Sequence, residues 1–189
     1  MTQYIELTIL HDNFVASSKI LEAVYSKLHT KFSSLRTDDN TQPVGVSFPR
    51  YDISRGLGDK IRLFASDDIL ISLNLATALE ELEKYVHISD VLPVPAKVSH
   101  GHYRRVQVQS NMERVARRKA KRAGISIEDA MDYLRSFEET HTSLPFVYMG
   151  SKSTSQSFKL FVYCERVKDK AVGAFSTYGL SASSTVPIF

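Results

Sequence analysis

The sequence of 189 residues predicts an α+β protein. Short segments with an apolar residue at every second position alternate with longer segments whose apolar residues recur every three or four positions, and these are the periods of strands and helices. Hydrophobic residues make up 43% of the chain, and it has only 8 Gly and 6 Pro, so a disordered or fibrous protein is excluded. We expect a globular protein of one or two domains.

The first half contains six predicted elements in the order strand, helix, strand, strand, helix, strand. The first strand, over 4–10, has Ile5, Leu7 and Ile9 on one face, and a helix over 17–32 follows it. Strands over 44–48 and 60–65 are joined by a turn near Gly56 and Gly58. The second helix begins at Ser66 and buries Ile69, Leu70, Leu73 and Leu82, and the last strand covers 85–89. This order is that of ferredoxin-like and RNA-recognition-motif-like domains. We therefore predict a ferredoxin-like domain over residues 1–94 and a second α+β domain over residues 95–189.

The second half begins with a predicted strand over 103–109 and continues with an arginine-rich helix at about 111–123. Ser110 and Glu113 match a capping box at the start of this helix, and Gly124 ends it. A second helix is predicted to be capped by Ser126 and Asp129 and to bury Ile127, Ala130, Met131, Leu134 and Phe137. Three strands are predicted after it, over 146–149, 158–164 and 174–180, with the segment 186–189 packed against them.

Positive charge is concentrated in one segment. Residues 97–122 carry nine basic residues against one acid, whereas the rest of the chain has 15 basic and 20 acidic residues. Five of the basic residues fall on one face of the predicted helix, namely Arg114, Arg117, Arg118, Lys121 and Arg122. Like charges at this spacing destabilise a helix, so an external polyanion is the favoured partner; a solvated face, or a face paired with the acidic first half, is the alternative.

The polyanion can be DNA or RNA, because both are compatible with a thin basic helix. Arg105 and Gln107 share one face of the preceding strand, and these residue types make bidentate contacts to guanine and adenine. A segment rich in hydroxyl groups, 151–157, is either a hairpin connection or a phosphate-contacting loop. The basic helix thus predicts affinity for a nucleic acid, and the strand before it predicts base readout.

Catalytic residues are harder to identify from spacing alone. His100 and His102 lack a third metal ligand at a recognisable spacing, and the paired acids fit loops and helix ends, so neither a metal site nor a cofactor is predicted. His29 lies on the flank of the first helix, where it is either a surface histidine or a catalytic base. No segment has the roughly 18 uninterrupted apolar residues of a membrane helix, and no signal peptide is evident, so we expect a cytoplasmic protein without a membrane partner.

Several short motifs, in their order and spacing, resemble the type I-F CRISPR RNA-processing endoribonuclease family over the whole chain. The motifs are Lys27-Leu28-His29, residues 44–49, Arg105-Val106-Gln107 followed by Ser110, Asn111 and the arginine helix, Leu144 to Val147, Ser153-Thr154, Phe158 to Phe161, and Tyr178 to Ser181. The resemblance implies a ferredoxin-like domain followed by a second domain. It also implies metal-independent cleavage of precursor CRISPR RNA at the 3′ base of a repeat stem-loop.

The resemblance also implies roles for individual residues. His29 is similar to the general base that deprotonates the 2′-hydroxyl, Ser151 to the residue that holds the ribose, and Tyr178 to a tyrosine of the site. The RNA-binding residues that it implies are Arg105 and Gln107 for base readout, the helical Arg114, Arg117, Arg118, Lys121 and Arg122, the segment with Ser153 and Thr154, and Phe158 at the base of the stem.

The implied partners are the CRISPR repeat RNA stem-loop and the other type I-F Cas proteins of the surveillance (Csy, Cascade) complex. Two other interpretations remain open at the level of the sequence. One is a non-catalytic protein that binds structured RNA, in which His29 is incidental, and the other is a protein that places its basic helix in a DNA groove.

Overall fold

The computed structural model describes residues 1–107, 112–138, 143–150 and 156–189. Within this part of the chain the protein is a mixed α and β structure, as predicted. The elements of its first half are β1 (Gln3–Ile9), α1 (Ser17–Ser34), β2 (Thr41–Gln42), β3 (Gly45–Ser47), β4 (Lys60–Ala65), α2 (Asp67–Ser72), α3 (Leu75–Ala78), β5 (Val86–Ile88) and β6 (Leu92–Pro93). Those of its second half are β7 (Ser99–Val106), α4 (Met112–Ala123), α5 (Ile127–Glu138), β8 (Phe146–Gly150), β9 (Ser157–Val167), β10 (Phe175–Ser176) and β11 (Val186–Ile188).

An antiparallel sheet forms the centre of the first half, with the strand order β3-β4-β1-β5 and with β6 paired to β1. The predicted alternation of β1 is confirmed, since Ile5, Leu7 and Ile9 are buried and the residues between them are only partly so. Helix α1 buries Ile20, Leu21, Val24, Tyr25, Leu28 and Phe32, which recur at helical spacing. This apolar face fixes the rotation of α1 and so decides where its flanking residues point.

The prediction of one helix from Ser66 to Leu82 was wrong. The segment contains two short α-helices, α2 and α3, and a 3-10 turn over Glu80–Leu82. Asn74 separates α2 from α3, because it adopts a left-handed conformation with φ of 44° and interrupts the helical hydrogen bonding. Leu70 and Leu73 are buried as predicted, whereas Ile69 and Leu82 are only partly buried. Asparagine is the non-glycine residue that most readily adopts this conformation, so Asn74 was the available signal.

The second sheet is antiparallel and has the order β11-β7-β9-β8. Helices α4 and α5 pack on each other through Ala116, Ala120 and Ala130, which are small enough for the two backbones to approach closely. Ser126 caps α5, because its hydroxyl accepts a hydrogen bond from the Asp129 amide at 3.0 Å. The capping box predicted at Ser110 lies outside the described residues.

Two predictions for the second half were wrong. Ile127, at the first position of α5, is 50% exposed and not buried. The predicted strand over 174–180 is reduced to the two residues of β10, which pair with β2. From Ser176 the chain reverses, and the Gly179 amide donates to the Ser176 carbonyl at 2.8 Å, which closes a turn. Gly179 has φ of +71°, a conformation that a strand does not contain.

One continuous hydrophobic core extends across both halves of the chain. Residues of β1, β4 and α1 share it with Tyr103, Val147, Leu160 and Val162 of the second sheet. Phe175, Leu180 and Val186 complete it from the segment that follows β9. Since the second half packs against α1 and β3, the C-terminal turn meets the flank of α1. Within the described residues, no helix is long and apolar enough to cross a membrane.

Candidate active site

His29 lies on the flank of α1, between the buried face of the helix and solvent. Its Nδ1 is 2.8 Å from the carbonyl oxygen of Thr177. Because a carbonyl oxygen only accepts hydrogen bonds, Nδ1 carries the proton, and Nε2 of the neutral ring keeps its lone pair. The Thr177 carbonyl therefore fixes the tautomer in which Nε2 is free to act as a base.

The ring of Tyr178 is stacked on the imidazole of His29. The ring centroids are 4.3 Å apart and the two planes differ by 7°. Stacking and the hydrogen bond from Nδ1 act on different parts of the imidazole, and together they restrict both of its side-chain torsions. His29 is thus oriented by two consecutive residues that lie 148 and 149 positions away along the chain.

Helix α1 also holds the backbone of the turn over residues 176–179. The hydroxyl of Tyr25 donates to the carbonyl of Tyr178 at 2.7 Å, and Tyr25 is completely buried one helical turn before His29. Burial, and then the neighbouring Tyr178, raise the pKa of Tyr25, so its hydroxyl keeps the proton that it donates. His29 and its orienting turn are therefore both attached to α1.

Strand β3 of the first sheet and the neighbouring strand β2 also hold this turn. The amide of Val46 in β3 donates to the Gly179 carbonyl at 2.9 Å, and the side-chain amide of Gln42 in β2 donates to the Ser176 carbonyl at 2.9 Å. A Cβ atom at Gly179 would lie 2.2 Å from Cγ2 of Val46, which is far inside van der Waals contact. Glycine is required here for its backbone conformation and for the close approach of β3.

Arg105 connects this pair to the end of the second sheet. Its guanidinium carbon is 5.3 Å from the ring centroid of Tyr178 and 5.3 Å from that of Phe158. These distances are within the range of cation-π attraction. The structure therefore brings four predicted site residues together, namely His29, Tyr178, Arg105 and Phe158. Gln107 lies just beyond the end of β7, and its side chain is exposed.

The basic face of α4 is exposed at four predicted residues, Arg117, Arg118, Lys121 and Arg122. Arg117 donates to the carboxylate of Glu113 at 3.2 Å, an exposed pair one turn apart that neutralises part of the face. A shallow depression lined by Arg118 and Arg122 runs along the helix. The opposite face carries the buried alanines, so the cations point away from α5.

The remaining predicted residues lie outside the described part of the chain. They are Ser151, Ser153 and Thr154, and the side chain of Arg114. Two residues that hold the candidate site together were not predicted. Tyr25 occupies a buried position of the helical pattern, and nothing in that pattern distinguishes it from an ordinary core tyrosine. Thr177 acts through its backbone carbonyl, which no sequence pattern reveals.

Among the described residues, no three His, Cys, Asp or Glu side chains lie close enough together to hold a metal ion. His102 donates a hydrogen bond through Nδ1 to the carbonyl of Ser184, 2.9 Å away. His102 is thus committed to the packing of the segment before β11.

The chain is similar to known proteins of one family. The chain matches a family described as CRISPR-associated protein (Cas_Csy4) over residues 4–189. It is 36% identical over 190 residues to a CRISPR-associated endonuclease Cas6/Csy4 from Escherichia coli (strain UTI89 / UPEC), with all of both chains covered. It is 32% identical over 191 residues to a CRISPR-associated endonuclease Cas6/Csy4 from Pseudomonas aeruginosa (strain UCBPP-PA14), again with all of both chains covered.

Proposed function

Because this chain belongs to the Cas_Csy4 family of CRISPR-associated proteins, we propose that it is an endoribonuclease that cuts precursor CRISPR RNA at the 3′ base of the repeat stem-loop. The observation that carries the proposal is the His29 imidazole, whose Nδ1 is bound by the Thr177 carbonyl and whose ring is stacked on Tyr178. This arrangement leaves Nε2 as the ring nitrogen that can accept a proton, beside a cationic and aromatic surface.

The proposed reaction begins with proton transfer from the 2′-hydroxyl before the cut to Nε2 of His29. The 2′-oxygen attacks the adjacent phosphorus while the bond to the 5′-oxygen of the next nucleotide breaks. The leaving 5′-oxygen takes a proton from solvent water, so the products are a 2′,3′-cyclic phosphate and a 5′-hydroxyl. The nucleophile belongs to the substrate and the base belongs to the protein, so the proposed step uses no metal ion.

The other site residues hold the RNA in the geometry that this attack requires. We assign Ser151 to the ribose of the attacking nucleotide. Tyr178 orients the base, and Phe158 stacks at the foot of the stem, where a ring can cover the last base pair. Arg105, held between Phe158 and Tyr178, contacts the RNA at the junction of stem and cut, and Gln107 reads a neighbouring base.

Affinity for the hairpin resides in α4. Arg114, Arg117, Arg118, Lys121 and Arg122 track the phosphates of the stem, and the segment with Ser153 and Thr154 adds hydroxyl contacts to the backbone. Exposure of the four described cations, and the buried alanines behind them, support this assignment. After the cut the protein stays bound to the hairpin and joins the other type I-F Cas proteins of the surveillance complex.

We further propose that the first half, residues 1–94, is a ferredoxin-like domain and that residues 95–189 form the RNA-binding domain. The antiparallel order β3-β4-β1-β5 with α1 between β1 and β3 supports the first assignment. The continuous core between the halves supports a fixed relation of the two domains, which the site requires.

A cleavage assay on a CRISPR repeat stem-loop tests the function. Wild type, His29→Ala and the control His87→Ala, which removes an exposed imidazole from β5, are incubated with the RNA in excess chelator. A second RNA carries 2′-deoxyribose at the nucleotide before the cut. We expect wild type and the control to cut the all-ribose RNA once, and His29→Ala to be slower by roughly 10²- to 10⁴-fold with hairpin affinity retained.

Three results would contradict this proposal in different ways. Cutting of the deoxyribose RNA would exclude attack by the 2′-hydroxyl. Loss of cutting in chelator would exclude a metal-independent reaction. Binding of the hairpin by all three proteins without cutting would favour the non-catalytic RNA-binding protein.

A further inference from the structure

A buried glutamine contacts the turn that orients His29. Gln42 is 1% exposed, and it is the largest of the polar side chains that are buried in the described part of the chain. Burial of an amide is unfavourable unless its hydrogen-bonding groups find partners. The partners of Gln42 therefore show what this side chain holds in place.

The side-chain amide of Gln42 makes three hydrogen bonds. Its Oε1 accepts from the Val44 amide at 2.6 Å, and its Nε2 donates to the Val44 carbonyl at 2.7 Å and to the Ser176 carbonyl at 2.9 Å. A backbone N–H only donates and a carbonyl only accepts, so one orientation of the side-chain amide satisfies all three bonds. Two bonds thus tie Gln42 to Val44, just before β3, and the third ties it to the turn.

The bond to Ser176 is made to a carbonyl that also closes the turn. The same oxygen accepts from the Gly179 amide at 2.8 Å, so both of its lone pairs have donors. Backbone pairing between β2 and β10 covers two residues of each strand. The Gln42 side chain therefore adds a contact at the point where this short pairing ends and the turn begins.

Thr177 lies between two anchored carbonyls. Gln42 holds the carbonyl of the preceding residue, and the hydroxyl of Tyr25 holds the carbonyl of the following one. Because each peptide group is planar, only the φ and ψ angles of Thr177 separate the carbonyl held by Gln42 from that of Thr177. The Thr177 carbonyl is the one that accepts from Nδ1 of His29. Its position therefore depends on Gln42 from one side and on Tyr25 from the other.

We propose that Gln42 is a positioning residue for RNA cleavage, which keeps the Thr177 carbonyl where it accepts from Nδ1 of His29. The proposal rests on the proposed function, because it takes Nε2 of His29 to be the base. Gln42 acts through the turn and not by contact with RNA, since its side chain is buried. Without its bond the turn can shift relative to α1, and the imidazole then loses the acceptor that fixes its tautomer.

Two substitutions remove this contact in different ways. Gln42→Met keeps an unbranched side chain of similar length and removes all three hydrogen bonds. Gln42→Asn is one methylene shorter, so it withdraws the amide from Ser176, but an asparagine can still bond to the backbone two residues on, which is Val44. Because Gln42→Asn keeps this local contact, it tests the proposal even if Gln42→Met is poorly folded.

The matched control is Thr185→Val. Thr185 is 4% exposed, and its hydroxyl accepts from the Ala171 amide at 2.9 Å and donates to the Ala171 carbonyl at 3.1 Å. It thus holds both backbone groups of one residue, as Gln42 does at Val44, but neither Thr185 nor Ala171 belongs to the turn at 176–179. The control reports the effect of losing buried hydrogen bonds elsewhere in the fold.

Three measurements are made at a temperature where urea unfolding shows that each variant is folded. Single-turnover cleavage at saturating protein gives the rate of the chemical step. The dissociation constant of the RNA with 2′-deoxyribose before the cut gives affinity. The ¹⁵N NMR spectrum of histidine-labelled protein at about pH 8.5, where an ordinary imidazole is neutral, shows which nitrogen of His29 carries the proton. A spectrum of His29→Ala identifies the signals.

We expect both Gln42 variants to cut roughly ten- to hundredfold more slowly than wild type, because displacement of a catalytic group by about 1 Å can cost this much. Their affinity for the RNA should be unchanged. The Nδ1 and Nε2 signals of His29 should move toward each other, since the two tautomers then exchange. Thr185→Val should leave the rate and the signals as they are in wild type.

The proposal is overturned if both Gln42 variants keep the wild-type rate and imidazole signals, or if they slow cleavage no more than Thr185→Val does. Loss of rate with unchanged imidazole signals would also overturn it, since Gln42 would then not act through the tautomer of His29. Failure of the proposed function is a separate outcome. Wild type would then never cut the all-ribose stem-loop, and the imidazole signals would still show whether Gln42 sets the tautomer.

Discussion

Substitution of Gly179 by alanine tests whether the turn at 176–179 is as tightly constrained as its geometry indicates. Two costs add at this position. The residue has φ of +71°, where an L side chain costs roughly 1–2 kcal/mol. A new Cβ would also lie 2.2 Å from Cγ2 of Val46 and 3.3 Å from Cε2 of Phe32, and overpacking of a buried site costs typically about 1–3 kcal/mol. We expect Gly179→Ala to lower the free energy of unfolding by about 2–5 kcal/mol.

The control for this experiment is Gly124→Ala. Gly124 has nearly the same backbone conformation, with φ of +65°, but a Cβ there would meet no atom within 4 Å. It reports the cost of conformation alone, about 1–2 kcal/mol. The double variant Gly179→Ala with Val46→Ala removes the atom that is struck first, so it should recover part of the difference.

Urea unfolding and single-turnover cleavage are the two assays. Displacement of the turn moves the Thr177 carbonyl and the Tyr178 ring away from His29, so Gly179→Ala should cleave more slowly even at a temperature where it is fully folded. A variant as stable as Gly124→Ala that cuts at the wild-type rate would refute the argument that this turn is held by β3 and orients His29.

Three further predictions concern α1, α4 and the first sheet. Tyr25→Phe removes the 2.7 Å hydrogen bond to the Tyr178 carbonyl and should destabilise the protein by about 1–3 kcal/mol in urea unfolding. Separate rate and affinity assays should show that it slows cleavage more than it weakens RNA binding. Arg118→Ala should weaken hairpin binding and lower the slope of log affinity against log salt concentration by about 0.7 to 0.9. An unchanged slope in a filter-binding titration would show that Arg118 does not contact a phosphate. Burial alone would raise the pKa of Glu6, but hydrogen bonds from Lys60 and Arg62 outweigh burial and lower this pKa. The Glu6 carboxylate therefore stabilises the fold at pH values above the ordinary pKa of a carboxyl group, and its contribution is lost as the pH falls through the lowered pKa of the folded state. Glu6→Gln should therefore be less stable than wild type at neutral pH, and the difference in urea midpoint should shrink below about pH 4.

Much of the fold could be predicted because local periodicity and burial agree in it. The apolar stripe of α1 and the alternation of β1 each correspond to one buried face, so the pattern alone identified both elements. The capped start of α5 at Ser126 was recognisable for the same reason, since its cap is a local contact. Where a tertiary contact decides the backbone, the pattern was misleading, as at 174–180, where the apolar residues belong to a turn packed between α1 and β3.

The candidate site shows the same division. His29 and Tyr178 could be proposed through the resemblance of short motifs to a known family, but spacing alone left His29 undecided between a surface residue and a base. The stack of the two rings, the Thr177 carbonyl and the Tyr25 hydroxyl depend on pairs separated by about 150 residues, and a single sequence contains no signal for such pairs.

The long separation between His29 and its partners affects when the enzyme becomes active during synthesis. The ribosome releases α1 early, but the carbonyl that fixes the His29 tautomer follows 148 residues later. At elongation rates of about 5–20 residues per second, a nascent chain carries the base for several seconds before the turn exists to orient it. Under the proposed role of His29, a chain interrupted before this turn would retain the imidazole without the contacts that orient it, and we expect such a chain not to cut precursor RNA.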